Sequence, residues 1–233
     1  MMVAADSALW CVVPAAGRGA RFGAEVPKQY VSVAGKPLLR WTLERLAAHP
    51  RVAGIVVVLS AGDRWWSADE HIGGKPLLTA TGGDERADSV LAGLVALETR
   101  VADDAFVLVH DAARPCVRDA DITRLVELGS GAGGALLAAP LRDTLKRADA
   151  DGRVAATEPR ESRWRALTPQ LFRRGELAAA LARARADGAV VTDEAMAMER
   201  VGYRPLLVEG SDDNIKVTTP ADLARVRALL AGN

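Results

Sequence analysis

The chain has 233 residues, 49 % of them hydrophobic, with 30 Lys+Arg set against 30 Asp+Glu. That length and apolar content support a sizeable core and exclude a disordered chain. The formal net charge of zero argues against a global polyanion such as nucleic acid, though not against a local basic pocket. The cysteines, Cys11 and Cys116, offer no disulfide framework, the opening "MMVAADSALW" lacks a signal-peptide pattern, and no run reaches the ~18 apolar residues of a membrane span. A cytoplasmic protein that engages no membrane is expected.

The first element is a strand over 9–14, "LWCVVP", whose apolar run is continuous rather than alternating, as in strands covered on both faces. Leu39, Leu43 and Leu46 then fall at i, i+4, i+7 and predict a helix. A second continuous strand follows at 53–59, "AGIVVVL". The segment 62–75, "GDRWWSADEHIGGK", reads as a surface loop, and Trp65 and Trp66 within it have no assigned role. Val90, Leu94 and Leu97 predict the next helix, "AFVLVH" (105–110) a third strand, Ile122, Leu125 and Val126 a shorter helix, and "GALLAAP" (134–140) a fourth strand.

The polar segment 141–162, "LRDTLKRADADGRVAATEPRES", breaks this rhythm and centres on Asp151-Gly152, a hairpin signal. It is either an exposed loop or an arm that packs on another subunit, since an isolated hairpin is marginal in water. The final helix carries Thr219 as a candidate N-cap, Pro220 at its first position, and an apolar face of Leu223, Val226 and Leu230. Strand and helix in alternation predict one α/β domain over 1–233: a Rossmann-like, doubly wound, mostly parallel sheet with 141–162 as a protruding β-hairpin arm.

The chemistry gathers in the loops. After the first strand comes "PAAGRGARFGAEVPKQY" (14–30), where ligands of open α/β sheets bind. Gly17 and Gly19 let the backbone approach a ligand and take positive φ, Ala15 and Ala16 keep the wall low, and Arg21 and Lys28 converge on phosphates, with Arg18 a third cation nearby. No Gly-x-x-x-x-Gly-Lys-Ser/Thr loop is present, and Phe22 stands where a dinucleotide fingerprint needs its third glycine. Dense cations suit a triphosphate better than a dinucleotide. In "GGDERADSV" (82–90), Gly83, Asp84 and Ser89 read the edge of a base. In "VHDAARPC" (109–116), Asp111 ends a strand as a carboxylate able to hold a hard divalent cation, and "DNIKVT" (213–218) supplies Lys216. The histidines 49, 71 and 110 form no catalytic constellation.

Together with "RDTLKRA", "ALTPQLF", "TDEA" and "VEGSDDNIKVTTPADL", these blocks resemble, in order and across nearly the whole chain, the 2-C-methyl-D-erythritol 4-phosphate cytidylyltransferases of the nucleotidyltransferase superfamily. The first block alone marks the superfamily, and "VHDAARP" with "NIKVT" is the more specific pair. The resemblance implies an enzyme that joins CTP to methylerythritol phosphate, releasing pyrophosphate, by in-line attack of the substrate phosphate on the α-phosphorus. A phosphate monoester, with its second pKa near ~6, is already a dianionic nucleophile, so no basic histidine is needed. The resemblance further implies a cytidine site of Ala15, Ala16, Gly17, Gly19, Gly83, Asp84 and Ser89. It places Arg21, Lys28 and Lys216 on the reacting phosphates and Asp111 at a Mg²⁺ and the substrate. It puts Arg114, Thr144, Thr168 and Thr192 around methylerythritol phosphate and brings in Arg160 from the partner of a homodimer. Two alternatives stand beside this reading: a CTP-dependent enzyme for ribitol 5-phosphate, and a non-catalytic nucleotide-binding protein.

Overall fold

The computed structural model describes residues 8–17 and 26–231. Gly19, Arg18 and Arg21 lie outside the described residues. The central element is an eight-stranded sheet in the order β12 (Leu206–Glu209), β8 (Ala135–Pro140), β11 (Trp164–Arg173), β7 (Phe106–Val109), β1 (Leu9–Pro14), β4 (Val52–Leu59), β6 (Lys75–Thr81) and β5 (His71–Ile72), with β2 (Ser32–Val33) and β3 (Lys36–Pro37) paired outside it. Its middle is built from β1 (Leu9–Pro14), β4 (Val52–Leu59) and β7 (Phe106–Val109), all parallel. β6 (Lys75–Thr81) extends one side in parallel, and β8 (Ala135–Pro140) pairs in parallel with β12 (Leu206–Glu209) on the other. The four continuous apolar runs in the sequence are therefore strands, as expected.

Residues of one strand alternate between two cores, because successive side chains point to opposite faces. Cys11, Val13, Ile55, Val57 and Leu108 pack beneath α1 (Leu38–Ala48) and α3 (Asp119–Ala132). Val12, Val56, Val58, Val107 and Val109 face α2 (Arg86–Val95), α4 (Arg174–Ala186) and α5 (Glu194–Arg200). Helices on both faces are why these strands read as unbroken apolar runs. α2 approaches the sheet closely at Gly93, where a Cβ would stand 2.4 Å from Val12 Cγ1. A third cluster joins α6 (Pro220–Ala231) to the 113–117 turn through Val226, Leu230, Ala113 and Val217, which ties the Lys216 segment to the end of β7.

Three features depart from the sequence reading or refine it. β11 (Trp164–Arg173) runs antiparallel between β7 and β8, and Pro169 sits at an irregularity in its pairing, so no continuous apolar run announces it. The 62–75 segment is not wholly loop: β5 (His71–Ile72) pairs with β6, and Trp66 packs against the core while Trp65 is exposed. At α6, the Thr219 hydroxyl donates to Asp222, whose carboxylate also accepts the backbone N–H groups of Thr218 and Thr219, so Asp222 closes the helix start rather than the Thr219 oxygen.

The hairpin strands β9 (Leu145–Ala148) and β10 (Val154–Glu158) pair antiparallel with each other, and neither joins the central sheet. Gly152 closes their turn at φ +76°, the left-handed conformation that favours glycine. Among the described residues no helix is long and apolar enough to cross a membrane.

Candidate active site

β1 is followed in the sheet by β4 on one side and β7 on the other, so the crevice beyond Pro14 and Val109 is the topological switch point, where open α/β sheets bind ligands. A cleft of about 330 Å³ lies there. One wall is the end of β1, whose ladder continues through Ala15 N–H to Val58 O before Ala16 and Gly17 leave the sheet. Gln29 donates to Ala15 O at 2.7 Å and so fixes the short 3-10 turn Lys28–Tyr30 as a lip. The opposite wall is the start of α2, capped reciprocally by Glu85 and Asp88, with Gly83, Asp84 and Ser89 on the cleft. Asp111 and Lys216 form the floor and far side.

The structure thus brings together nine residues nominated from sequence: Ala15, Ala16, Gly17, Lys28, Gly83, Asp84, Ser89, Asp111 and Lys216. The glycine argument needs correction. Neither Gly17 nor Gly83 has positive φ. A Cβ on Gly17 would meet nothing within 4 Å, whereas one at Gly82 would stand 2.6 Å from Ser89 Oγ and 2.7 Å from Ala16 Cβ. A Cβ at Gly83 would likewise stand 2.6 Å from Asp88 Cβ, so the glycines that this wall requires sterically are Gly82 and Gly83.

The other nominated residues sit elsewhere. Arg114 and Thr168 are buried behind the cleft, Thr192 is exposed just before α5, and Thr144 and Arg160 are exposed at the ends of the hairpin. Arg160 donates to the backbone carbonyl of Arg142 in its own chain.

Asp111 is the electrostatic centre of the site. Its Oδ1 accepts from Arg86 Nε at 3.0 Å, and its Oδ2 takes Arg114 Nε at 3.2 Å and Lys216 Nζ at 3.0 Å. Burial pushes this carboxyl up, but the charges of Arg86, Lys216 and Arg114 outweigh it and hold it well below the usual carboxylate range. The acid is ionised throughout the physiological range. Among the described residues no three His, Cys, Asp or Glu side chains group to hold a metal ion. Three cations already meet the Asp111 oxygens, so a Mg²⁺ here would take Asp111 as one carboxylate ligand and would depend on substrate phosphate oxygens for the others.

Beneath the carboxylate lies a buried ring of hydrogen bonds. Asp111 N–H donates to Thr168 Oγ1, which pairs with His110 Nδ1 at 3.0 Å, while His110 Nε2 meets Arg114 O at 3.0 Å. A carbonyl only accepts, so Nε2 carries the proton and Nδ1 accepts from the Thr168 hydroxyl. Burial pushes the His110 pKa down to about 4, consistent with that neutral ring. Asn214 closes the ring: Arg114 donates to its backbone carbonyl, and its side-chain amide donates to Thr168 O. Thr168 and Arg114 therefore shape the floor that presents Asp111.

The sequence reading missed Arg86, Glu194, Gln29 and His110. Arg86 is the first residue of α2 and lines the cleft, and its guanidinium meets both oxygens of Glu194, the buried first residue of α5, at 2.6 and 3.2 Å. Both acidic partners hold the Arg86 charge firmly, against the cost of burying it. All four lie inside or beside blocks quoted above, but residue type alone does not say which partner a side chain meets.

The comparison with known proteins is decided by extent. The family model for 2-C-methyl-D-erythritol 4-phosphate cytidylyltransferase matches residues 9–232. The chain belongs to this cytidylyltransferase family. The 2-C-methyl-D-erythritol 4-phosphate cytidylyltransferase of Stenotrophomonas maltophilia strain R551-3 is 61 % identical over 227 residues, covering 97 % of this chain and 98 % of the relative. That of Xanthomonas campestris pv. campestris strain B100 is 61 % identical over 224 residues, 96 % of this chain and 84 % of the relative. The crystal structure of the Francisella tularensis cytidylyltransferase superposes with a TM-score of 0.81 at 34 % identity, covering 96 % of this chain and all of that one (100 %). A crystal structure of a 4-diphosphocytidyl-2C-methyl-D-erythritol synthase gives a TM-score of 0.82 at 38 % identity, covering 96 % and 99 %. The Rossmann-like α/β architecture of this cytidylyltransferase family is thus the architecture of the chain.

Proposed function

We propose that the protein transfers the cytidylyl group of CTP to 2-C-methyl-D-erythritol 4-phosphate, giving 4-diphosphocytidyl-2-C-methyl-D-erythritol and pyrophosphate. The observation that carries this reading is the membership of the cytidylyltransferase family over residues 9–232, joined to a cleft that gathers Lys28, Asp111 and Lys216. The two alternatives lose ground to it: a ribitol phosphate enzyme is not what the family names, and a sensor has no use for cations gathered on the reacting phosphates.

Cytosine is read between Ala15, Ala16 and the Gly83–Ser89 wall. The close packing of Ala16, Gly82 and Ser89 suits a pyrimidine rather than a purine. Cytosine's exocyclic amine donates to a backbone carbonyl that uracil would leave unpaired, at a cost of ~1–3 kcal/mol. CTP is therefore the expected nucleotide, and comparable kcat/KM with UTP contradicts this assignment.

Lys28 and Arg21 hold the triphosphate and neutralise charge that grows on the α-phosphate as the substrate phosphate attacks in line. Lys216 receives the incoming phosphate beside Asp111, which Arg114 holds from behind the cleft, and Thr192 contributes just before α5. Because the nucleophile arrives already ionised, these residues act by position and charge rather than by taking a proton. Asp111 would hold a Mg²⁺ together with phosphate oxygens, and the ion would supply further charge neutralisation when bound; activity should vanish in excess chelator and return with Mg²⁺.

The hairpin's strands are largely exposed, apolar Val154 among them, and have little of their own chain to pack against, which fits an arm that crosses to a second copy of the chain. In that homodimer Arg160 and Thr144 complete the neighbouring substrate site. Neither nucleic acid nor membrane takes part, and the compartment is the cytoplasm. Product analysis by ³¹P NMR tests the reaction: a CDP-alcohol diester and free pyrophosphate in equal amounts support it, and orthophosphate as the sole product sinks it.

A further inference from the structure

Glu194 is fully buried, yet its carboxylate does not reach the cleft; what it touches is Arg86. Its position is set from behind. The Gln170 side chain of β11 accepts from the Ala195 N–H at 2.8 Å and donates to Asp193 at 3.0 Å, so the start of α5 is anchored to the sheet. From that base the two Glu194 oxygens accept from Nη1 and Nη2 of Arg86, leaving Nε for Asp111 Oδ1. A planar fork that meets one carboxylate with its end and another with its edge has a single orientation. Asp111 in turn has Oδ2 committed to Arg114 and Lys216.

We propose that Glu194 is a positioning residue for the reaction: its carboxylate braces the Arg86 guanidinium and, through it, fixes Asp111 between Arg114 and Lys216. The inference rests on the reading that Asp111 lies at the reacting centre. Without the brace, Arg86 keeps a full charge on the wall of an anion-binding cleft. It then turns toward Asp111 or toward the triphosphate. Either move strengthens or spares ground-state binding of CTP while spoiling the alignment that attack requires. The loss should therefore fall on kcat and leave the KM for CTP no higher than before, a split that mere damage to the fold does not produce.

The test compares Glu194→Gln with Asp121→Asn. Asp121, on α3 and away from the cleft, is also a buried carboxylate, accepting from Arg124 and from the Ser211 N–H after β12. Glu194→Gln should lower kcat by about tenfold to a hundredfold without raising the KM for CTP. Asp121→Asn, at a similar loss of thermal stability, should keep kcat. If the Gln variant does not fold, Arg86→Lys serves: it keeps the charge but lacks the fork, and should show the same loss in kcat. Glu194→Gln or Arg86→Lys with wild-type kcat overturns the proposal, as does a loss carried wholly by KM for CTP. Should Lys28→Ala be crippled while Glu194→Gln is not, only this inference fails. A wild-type enzyme that releases no pyrophosphate from CTP and methylerythritol phosphate overturns the functional reading with it.

Discussion

The ammonium of Lys28 donates to the backbone carbonyl of Val217 at 3.3 Å, tying the lip of the cleft to the segment that carries Lys216 across 189 residues of sequence. The two lysines assigned to the phosphates are thus held in one frame. Lys28→Ala should lower kcat more than it raises the KM for CTP, because the charge that Lys28 meets grows during attack. By analogy with losing one oxyanion donor, the expected cost is roughly 3–4 kcal/mol, about a hundredfold to a thousandfold in rate. Steady-state kinetics decide it. A pure KM effect reduces Lys28 to ground-state binding.

Gly93 lets α2 lie close enough to the sheet to place Ser89 on the cleft. In Gly93→Ala the new Cβ stands 2.4 Å from Val12 Cγ1 and 2.9 Å from Val58 Cγ2. Alanine gains ~1 kcal/mol of helix propensity, but overpacking a core costs roughly 1–3 kcal/mol, and a clash this close belongs at the upper end. A lower melting temperature is expected, with a raised KM for CTP as α2 lifts. An unchanged or raised Tm contradicts this packing account.

Much of this was legible in sequence, and the exceptions have physical causes. Strands covered on both faces announce themselves as apolar runs, so β1, β4, β7 and β8 were readable. β11 was not, because its first three residues are exposed and Pro169 interrupts its pairing. The cleft residues fell in glycine-rich or acidic loops and were found by type. Glu194 and His110 were invisible because their roles depend on partners, Arg86 at 108 positions away and Thr168 at 58, that composition does not pair.

His110 gives a pH dependence with a definite sign. Its pKa is pushed down to about 4 by burial, while in the unfolded chain it titrates near ~6.5. Above pH ~6.5 neither state binds the proton and the contribution is fully present. Between there and pH ~4 only the unfolded chain takes it up, so stability falls as pH drops, by roughly 3 kcal/mol in all. Asp111 works in the same direction but below this window, since its folded value is depressed and its contribution is lost only as pH falls below the unfolded carboxylate value of ~3.9 toward the folded one. Denaturant unfolding at pH 7 and 4.5 should show wild type losing more stability than His110→Asn. Parallel losses contradict the assignment of His110 as buried and neutral.

The homodimer reading separates two residues between subunits. Arg160 is placed in the neighbour's site and Lys28 in its own, so homodimers of Arg160→Ala and of Lys28→Ala should each be nearly inactive. Heterodimers formed by mixing them hold one doubly damaged site and one intact site. Activity should return on mixing. Verified heterodimers no more active than the sum of their parents place Arg160 in its own subunit and remove the arm from the site.

The most direct test of the central claim is kcat/KM for pyrophosphate release from CTP and Mg²⁺, measured side by side with 2-C-methyl-D-erythritol 4-phosphate and ribitol 5-phosphate. The two reactions share the CTP half of the cleft and differ only in the alcohol that the incoming phosphate carries. A preference of about a hundredfold or more for methylerythritol phosphate is predicted, the size expected when buried polar groups are matched by one substrate and left unpaired by the other. Equal rates, or a preference for ribitol phosphate, would contradict the account.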